Sequence, residues 1–460
     1  MNFQIAKKSL NIKLFQGALL KQPFLLSAII MATVSAPVNA ETLLQVYEDA
    51  KKNDAQLKVS EMGFLAALEA KPQVLSGLKP QLTVTAGANY TAQYTGKRSY
   101  GGEDAGGYAN IGYDLNLTKV IINKQLDAQI DQVDASILQS KALLESDRQD
   151  LIIRVADAYF AYLNANDTLV FRKAEKNAIG KQLNQVKAFF DAGRSAITDV
   201  KEAQASYDLS VAQIEIANQQ IDVARESLRA ITTRAYKHLN GAADNVPLLV
   251  PKPTNIEAWS KAAVENSKDL IAAKHAVEVA QKTIEYERAA KKGTLNLVAN
   301  QGVNSVAGED IYDSDKFDAT VGVQYSLNLL DGGNISSRVR EARHKLHQAQ
   351  QTVELQKRLA TQQSRAAYLT IVSGLAQVKA LKQALNSSQT AASATQAGFE
   401  AGTRTAVDVL LALRNTFSAR RDYTSARYDF LLNTLKLKQA SGTLTEADLA
   451  ALSKILLKKT

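Results

Sequence analysis

The chain contains no cysteine, which excludes disulfides and thiolate metal or redox chemistry. Proline is scarce and unevenly placed: none lies between Pro80 and Pro247, and none follows Pro253. Two proline-free tracts of that length, rich in Ala, Gln, Leu and Lys, predict very long helices. They exclude an ordinary globule of short ones. Histidine is rare, and the one close pair, His344 and His347, lacks a nearby third ligand, so these read as surface residues rather than a metal site. No serine–histidine–acid set, glycine-rich phosphate loop or supported carboxylate pair occurs, so neither an enzyme nor a cofactor is expected. Asp331-Gly332-Gly333-Asn334 reads as a strand-to-helix turn. The lone tryptophan, Trp259, sits on an amphipathic stretch and is assigned to packing.

Long apolar runs are also missing. The stretch Phe24 to Val34 holds about ten apolar residues, against the ~20 that a membrane-crossing helix needs. Lys7, Lys8, Lys13 and Lys21 precede it with no acidic residue, and Val38-Asn39-Ala40 follows. Residues 1–40 therefore read as an export signal cleaved after Ala40. The new N-terminus, Glu41, is not a lipid-bearing cysteine. Loss of the four lysines takes the formal charge from +9 to +5. That excess is spread along polar faces without an aromatic-studded basic patch, so no nucleic-acid partner is expected.

The chain repeats itself. Phe190-Asp191-Ala192-Gly193 returns as Phe399-Glu400-Ala401-Gly402, and Asp199-Val200 returns as Asp408-Val409 at the same offset. Ala158-Tyr159 matches Ala367-Tyr368, and Tyr113 to Leu117 matches Tyr325 to Leu329 after a short slip. Their common order implies one structural unit used twice. The first unit spans 41–240, a proline-bearing linker spans 241–256, and the second unit spans 257–445 with a tail at 446–460.

Each unit reads as helix, strand, turn, strand, long helix, tip, helix. From Gln81 to Tyr94 the even positions are Leu, Val, Ala or Tyr and the odd ones Gln, Thr, Gly or Asn. From Phe317 to Leu329 the odd positions are the apolar ones. Period two over that length means a strand with one apolar and one polar face. Strands are expected at about 81–94, 108–117, 294–303 and 317–329. A soluble sandwich gives the same alternation over ~5–6 residues. Fourteen residues extend ~45 Å, and a ~45° tilt then crosses the ~25 Å apolar band of an outer membrane. Tyr90, Tyr94, Tyr108, Tyr113 and Tyr325 suit interfacial girdles, and the segments around Gly101 to Asp104 and Gly308 to Asp310 suit surface loops.

Four strands cannot close a barrel, since bacterial ones need ~8 or more. An open edge in lipid costs several kcal/mol for each unpaired backbone group. The barrel must be shared, with eight strands from two copies or twelve from three. Only the larger leaves an open channel.

A helical pattern runs from about Val120 to Phe190, ~105 Å at 1.5 Å per residue. Its partner, about Thr198 to Arg234, carries a seam of Val200, Ala203, Tyr207, Val211, Ile214, Ala217, Ile221, Ala224, Leu228 and Ile231. Steps of three and four are those of a coiled coil. At the first tip, about 190–200, Gly193 suits a left-handed helix end, with Ser195 or Thr198 capping the next helix. At the second, about 399–409, Gly402 and then Thr403 or Thr405 take those roles.

The doubled order of elements, the two tip sequences and the ending Leu431 to Leu444 resemble the outer-membrane efflux protein family, the outer membrane factors. The resemblance covers residues 41–450. It implies an α+β membrane protein: a homotrimer whose twelve-stranded β-barrel, four strands per chain, sits in outer-membrane lipid and continues as a periplasmic α-helical barrel. It also implies two partners, a periplasmic adaptor (membrane fusion) protein and an energised inner-membrane pump of the RND, ABC or MFS type. The family's gate-latch network falls on Thr198, Asp199, Arg404 and Phe399, and its constriction ring on Asp408 and Leu411. Adaptor docking falls on Gly193, Arg194, Ser195, Gly402, Thr403 and Thr405. Two positions depart from the pattern: a latch tyrosine is replaced by Phe399, and a second constriction aspartate by Leu411. The function implied is an exit duct for drugs, small molecules or proteins. A passive pore would not require hairpins of this length, and a structural coiled coil would not require the strands.

Overall fold

A computed structural model describes residues 41–95, 104–236, 238–241, 248, 250–308 and 311–457. The export signal at 1–40, the loop residues Gly101, Gly102, Glu103, Glu309 and Asp310, linker residues 242–247 and 249, and the Tyr94 side chain lie outside these.

The two halves match element for element. The first runs α1 (Leu43–Asn53), α2 (Ala55–Ser76), β1 (Gln81–Thr95), β2 (Asp104–Asn123), α3 (Lys124–Asp191) and α4 (Ile197–Thr232). The second runs α5 (Ile256–Asn266), α6 (Lys268–Ala289), β3 (Thr294–Gly308), β4 (Ile311–Ser326), α7 (Asn334–Glu400) and α8 (Ala406–Ala440). The long helices hold 68 and 67 residues, so each hairpin is ~100 Å long. Among the described residues no helix is long and apolar enough to cross a membrane.

The strands form one antiparallel sheet in the order β1-β2-β3-β4, leaving β1 and β4 as unpaired edges. Register places Val84 beside Leu115, Leu117 beside Ala299, and Ala299 beside Val321, so the apolar sides of all four strands share one face. That face is bare. Leu82, Val84, Tyr90, Phe317, Val321, Val323 and Tyr325 are each at least 61 % exposed. A contiguous apolar surface of this kind needs a nonaqueous neighbour. Gln301 is a polar residue on this face, and its amide donates to the Tyr113 hydroxyl at 3.3 Å.

Several strand boundaries differ from expectation: β2 starts earlier, at Asp104, β3 runs on to Gly308 and β4 starts at Ile311, while two further ends have identifiable causes. β2 runs on to Asn123, because a bulge between Val120 and Ile122 breaks the period-two pattern without ending the pairing. The helix therefore starts at Lys124, where the Asn123 side chain accepts from the backbone N–H of Gln125 and Leu126. β4 stops at Ser326, since its partner β3 begins opposite, at Thr294. Leu329 and Leu330 beyond it are exposed. The α4 seam also differs: Ser210 is buried and Val211 exposed. The heptad phase set by Ala203, Ala217 and Ala224 demands position 210, and the Ser210 hydroxyl satisfies itself on the Tyr207 carbonyl.

The core lies at the roots of the hairpins. From Leu151 to Leu163 most α3 side chains are buried, leaving only a narrow stripe at Asp157 and Ala161 exposed, as expected of a helix enclosed on most sides. Leu43, Val46, Phe430, Leu437 and Leu449 pack around it. The Tyr159 hydroxyl donates to the Asn240 carbonyl at 2.7 Å, pinning the end of the first half, and burial pushes its phenol above the ordinary range so that it remains a donor. Asp54 caps α2 through Leu57 N–H and takes Arg154 in a two-pronged pair, both contacts 2.9 Å. Of the segment expected as a tail, the described part forms a further helix, α9 (Glu446–Leu457), whose Leu449, Leu452 and Leu456 are buried. Glu446 ties it to Tyr47 and Lys51 of α1.

Candidate gate at the hairpin tips

Both tips turn by the same chemistry. Gly193 has φ +71° and Gly402 φ +80°, the left-handed region that a side chain would strain. In the first tip the N–H of Gly193 and of Arg194 reach back to the carbonyls of Phe190 and Phe189. In the second, Thr403 and Arg404 N–H reach the Gly398 carbonyl, which also accepts from the Thr403 hydroxyl at 3.0 Å. Thr403 thus closes α7. Gly398 itself leaves room for Arg404, whose Cγ would lie 2.8 Å from any added Cβ.

The helices leaving the tips start differently. Thr405 caps α8: its hydroxyl accepts from Asp408 N–H at 3.2 Å, and Asp408 Oδ2 accepts from Thr405 N–H at 3.0 Å. That backbone contact, then the hydroxyl, then the Arg404 charge hold the Asp408 carboxyl below the usual carboxylate range. At α4 neither Ser195 nor Thr198 is the cap. Ala196 occupies that position, and Asp199 Oδ2 reaches back to Ala196 N–H at 3.2 Å while taking the Ser195 hydroxyl at 2.6 Å. Half of a capping box survives, with the carboxylate supplying it.

Asp199 is therefore engaged within its own tip and does not pair with Arg404 of the same chain. Thr198 and Arg404 are exposed and make no side-chain hydrogen bond or ion pair among the described residues. Asp408 is half-buried and Leu411, nearly one turn on, is 56 % exposed.

What joins the two tips is mainly apolar, beside one amide contact in which Gln396 Nε2 donates to Gln185 Oε1 at 3.3 Å. Phe399 is buried and stacks on Phe189 with centroids 5.3 Å apart. Val186, Ala406 and Val409 complete this cluster, flanked by Val200 and Leu413. The Arg194 guanidinium lies over the Phe189 ring at 4.4 Å, a cation–π contact worth ~0.5–1 kcal/mol at an exposed site. One level up, Ile179, Leu183, Ala203 and Leu410 form a second clasp. Phe189 was not singled out from sequence. The signal for it was the paired Phe189-Phe190 one turn before Gly193, which offers an aromatic to either helix face.

Comparisons with known proteins agree with this architecture. The outer membrane efflux protein family model matches residues 46–234 and 259–443, one match per half. The chain is 34 % identical over 422 residues to the outer membrane protein TolC of Vibrio cholerae, covering 91 % of this chain and 94 % of that one. It is 26 % identical over 440 residues to the proteases secretion protein PrtF of Dickeya chrysanthemi, covering 94 % and 95 %. Among solved structures, the Campylobacter jejuni CmeC outer membrane channel superposes with a TM-score of 0.73 at 16 % identity, covering 90 % of each chain. Its fold is that of the outer-membrane channels with four strands per chain, and the chain belongs to the outer membrane efflux protein family.

Proposed function

We propose that the chain, exported under the signal at 1–40, assembles as a homotrimer in the outer membrane and serves as the exit duct of a tripartite efflux or type I secretion machine. The supporting observation is the union in one polypeptide of a four-stranded sheet with a bare apolar face and two ~100 Å helical hairpins. The sheet needs lipid on one side and other copies at its edges. The hairpins are long enough to reach toward the inner membrane, and a passive pore has no use for them.

The duct holds no energy source of its own. An inner-membrane pump of the RND, ABC or MFS type supplies it, and a periplasmic adaptor bridges the two. The tips carrying Gly193, Arg194 and Ser195, and Gly402, Thr403 and Thr405, are the docking ends. Thr198 and Arg404 are exposed and free to pair between neighbouring subunits, beside Asp199, whose Oδ2 is held within its own tip, and Asp408 with Leu411 lines the constriction. The test is deletion of the gene in its host. Sensitivity to toxic compounds or loss of a secreted protein is expected, restored by the intact chain and not by one lacking residues 190–200. Restoration by the tipless chain would favour a passive pore.

A further inference from the structure

Between the two hairpins, further from the tips than the aromatic clasp, lies a polar contact of a different kind. Glu175 of α3 is nearly buried, its side chain 6 % exposed. Its Oε2 accepts from Arg172 Nη1 at 2.9 Å on the same helix and from Arg421 Nη1 at 3.0 Å on α8. These residues border a cleft of about 420 Å³ between α3, α4 and α8. Arg414 borders the same cleft and has no carboxylate partner among the described residues. Gln213, Asn415 and Ser418 add uncharged hydrogen-bonding groups to its wall.

Charge decides what the cleft accepts. Among the described residues that line the cleft, three guanidiniums, none of which loses its proton in a protein, face a single carboxylate, leaving a surplus of two positive charges in the lining. The surplus is felt inside the site: burial first and the Arg172 charge next oppose ionisation of Arg421, with Glu175 and Asp422 acting the other way. A purely structural ion pair needs neither the third guanidinium nor the space. Planar guanidinium forks match the oxygens of carboxylates and phosphates.

We propose that this cleft binds a small divalent oxyanion, a phosphate or a dicarboxylate, held among Arg172, Arg414 and Arg421. Bound there, it ties α3 and α4 of one hairpin to α8 of the other. The site depends on this chain's own residues and not on the cargo or pump of the exit-duct reading.

Isothermal titration of the full-length detergent-solubilised assembly in low-salt buffer tests it, with inorganic phosphate and succinate as separate titrants. Saturable binding of at least one is expected, and which one binds assigns the class. Arg414→Gln, a change at an exposed side chain, weakens it by on the order of tenfold, the loss of one charge-assisted contact. Glu175→Gln removes the sole carboxylate and tightens it by a similar factor. Absence of saturable binding by both titrants, or binding that neither substitution alters, overturns the proposal.

Discussion

Phe189 of the first hairpin and Phe399 of the second stack with their ring planes 27° from parallel, and this pair bridges the two tips. A phenylalanine at 399 cannot make the hydroxyl latch that a tyrosine would. It gives instead a buried apolar contact that salt and pH do not weaken. Phe399→Ala should therefore loosen the tips by about 3–5 kcal/mol, as for other buried phenylalanines. Single-channel recordings in planar bilayers should show raised conductance for it, and little change for Arg404→Gln, whose exposed charge contributes ~0–1 kcal/mol.

The tips are capped unequally, and stability should follow. Thr405→Ala removes the hydroxyl that accepts from Asp408 N–H and should cost about 1 kcal/mol. Ala196→Ser completes the half-made box at α4 and should add a similar amount. Hydrogen exchange of the first turns of α4 and α8 reads both.

In the proposed constriction, Asp408 supplies one carboxylate per chain and Leu411 none. Multivalent cations should block the channel weakly, and Leu411→Asp should strengthen block while Asp408→Asn abolishes it. Because its hydrogen bonds and Arg404 hold Asp408 below the usual carboxylate range, block should persist as pH falls to the ordinary carboxylate value and fade only below it. Voltage-clamp titration with a trivalent cation at several pH values checks this.

How far the sequence could be read depended on periodicity. Strands β1 and β4 were legible because alternation runs unbroken from Leu82 and from Phe317, whereas the Val120–Ile122 bulge hid the end of β2. The repeat was legible because Gly193 and Gly402 must both adopt left-handed backbone. The partner of Phe399 was not: which aromatic of Phe189 and Phe190 faces the other hairpin depends on helix rotation at the tip. Nor was the setting of Glu175, since a buried carboxylate joining α3 to α8 is a contact across 246 residues that no local pattern announces.

At the hairpin roots, Asp54 and Arg154 form a nearly buried pair with side chains 5 % and 26 % exposed. The Arg154 hydrogen bonds, then the Leu57 N–H, lower the Asp54 carboxyl below its ordinary value. A depressed carboxylate stabilises the fold above its unfolded pKa of about 4, and this is lost as pH falls through the folded value. Asp54→Asn should cost about 3 kcal/mol, the low end for a broken buried pair because Arg154 keeps some solvent, and should flatten the acid limb. Thermal unfolding between pH 3 and 7 measures both.

The most direct test is the mass of the detergent-extracted particle and its heat-modifiable migration. Two unpaired sheet edges per chain require other copies to seal the wall, so a membrane-inserted complex of three chains is predicted. A lone subunit stably inserted in lipid, or a form soluble without detergent, would contradict it.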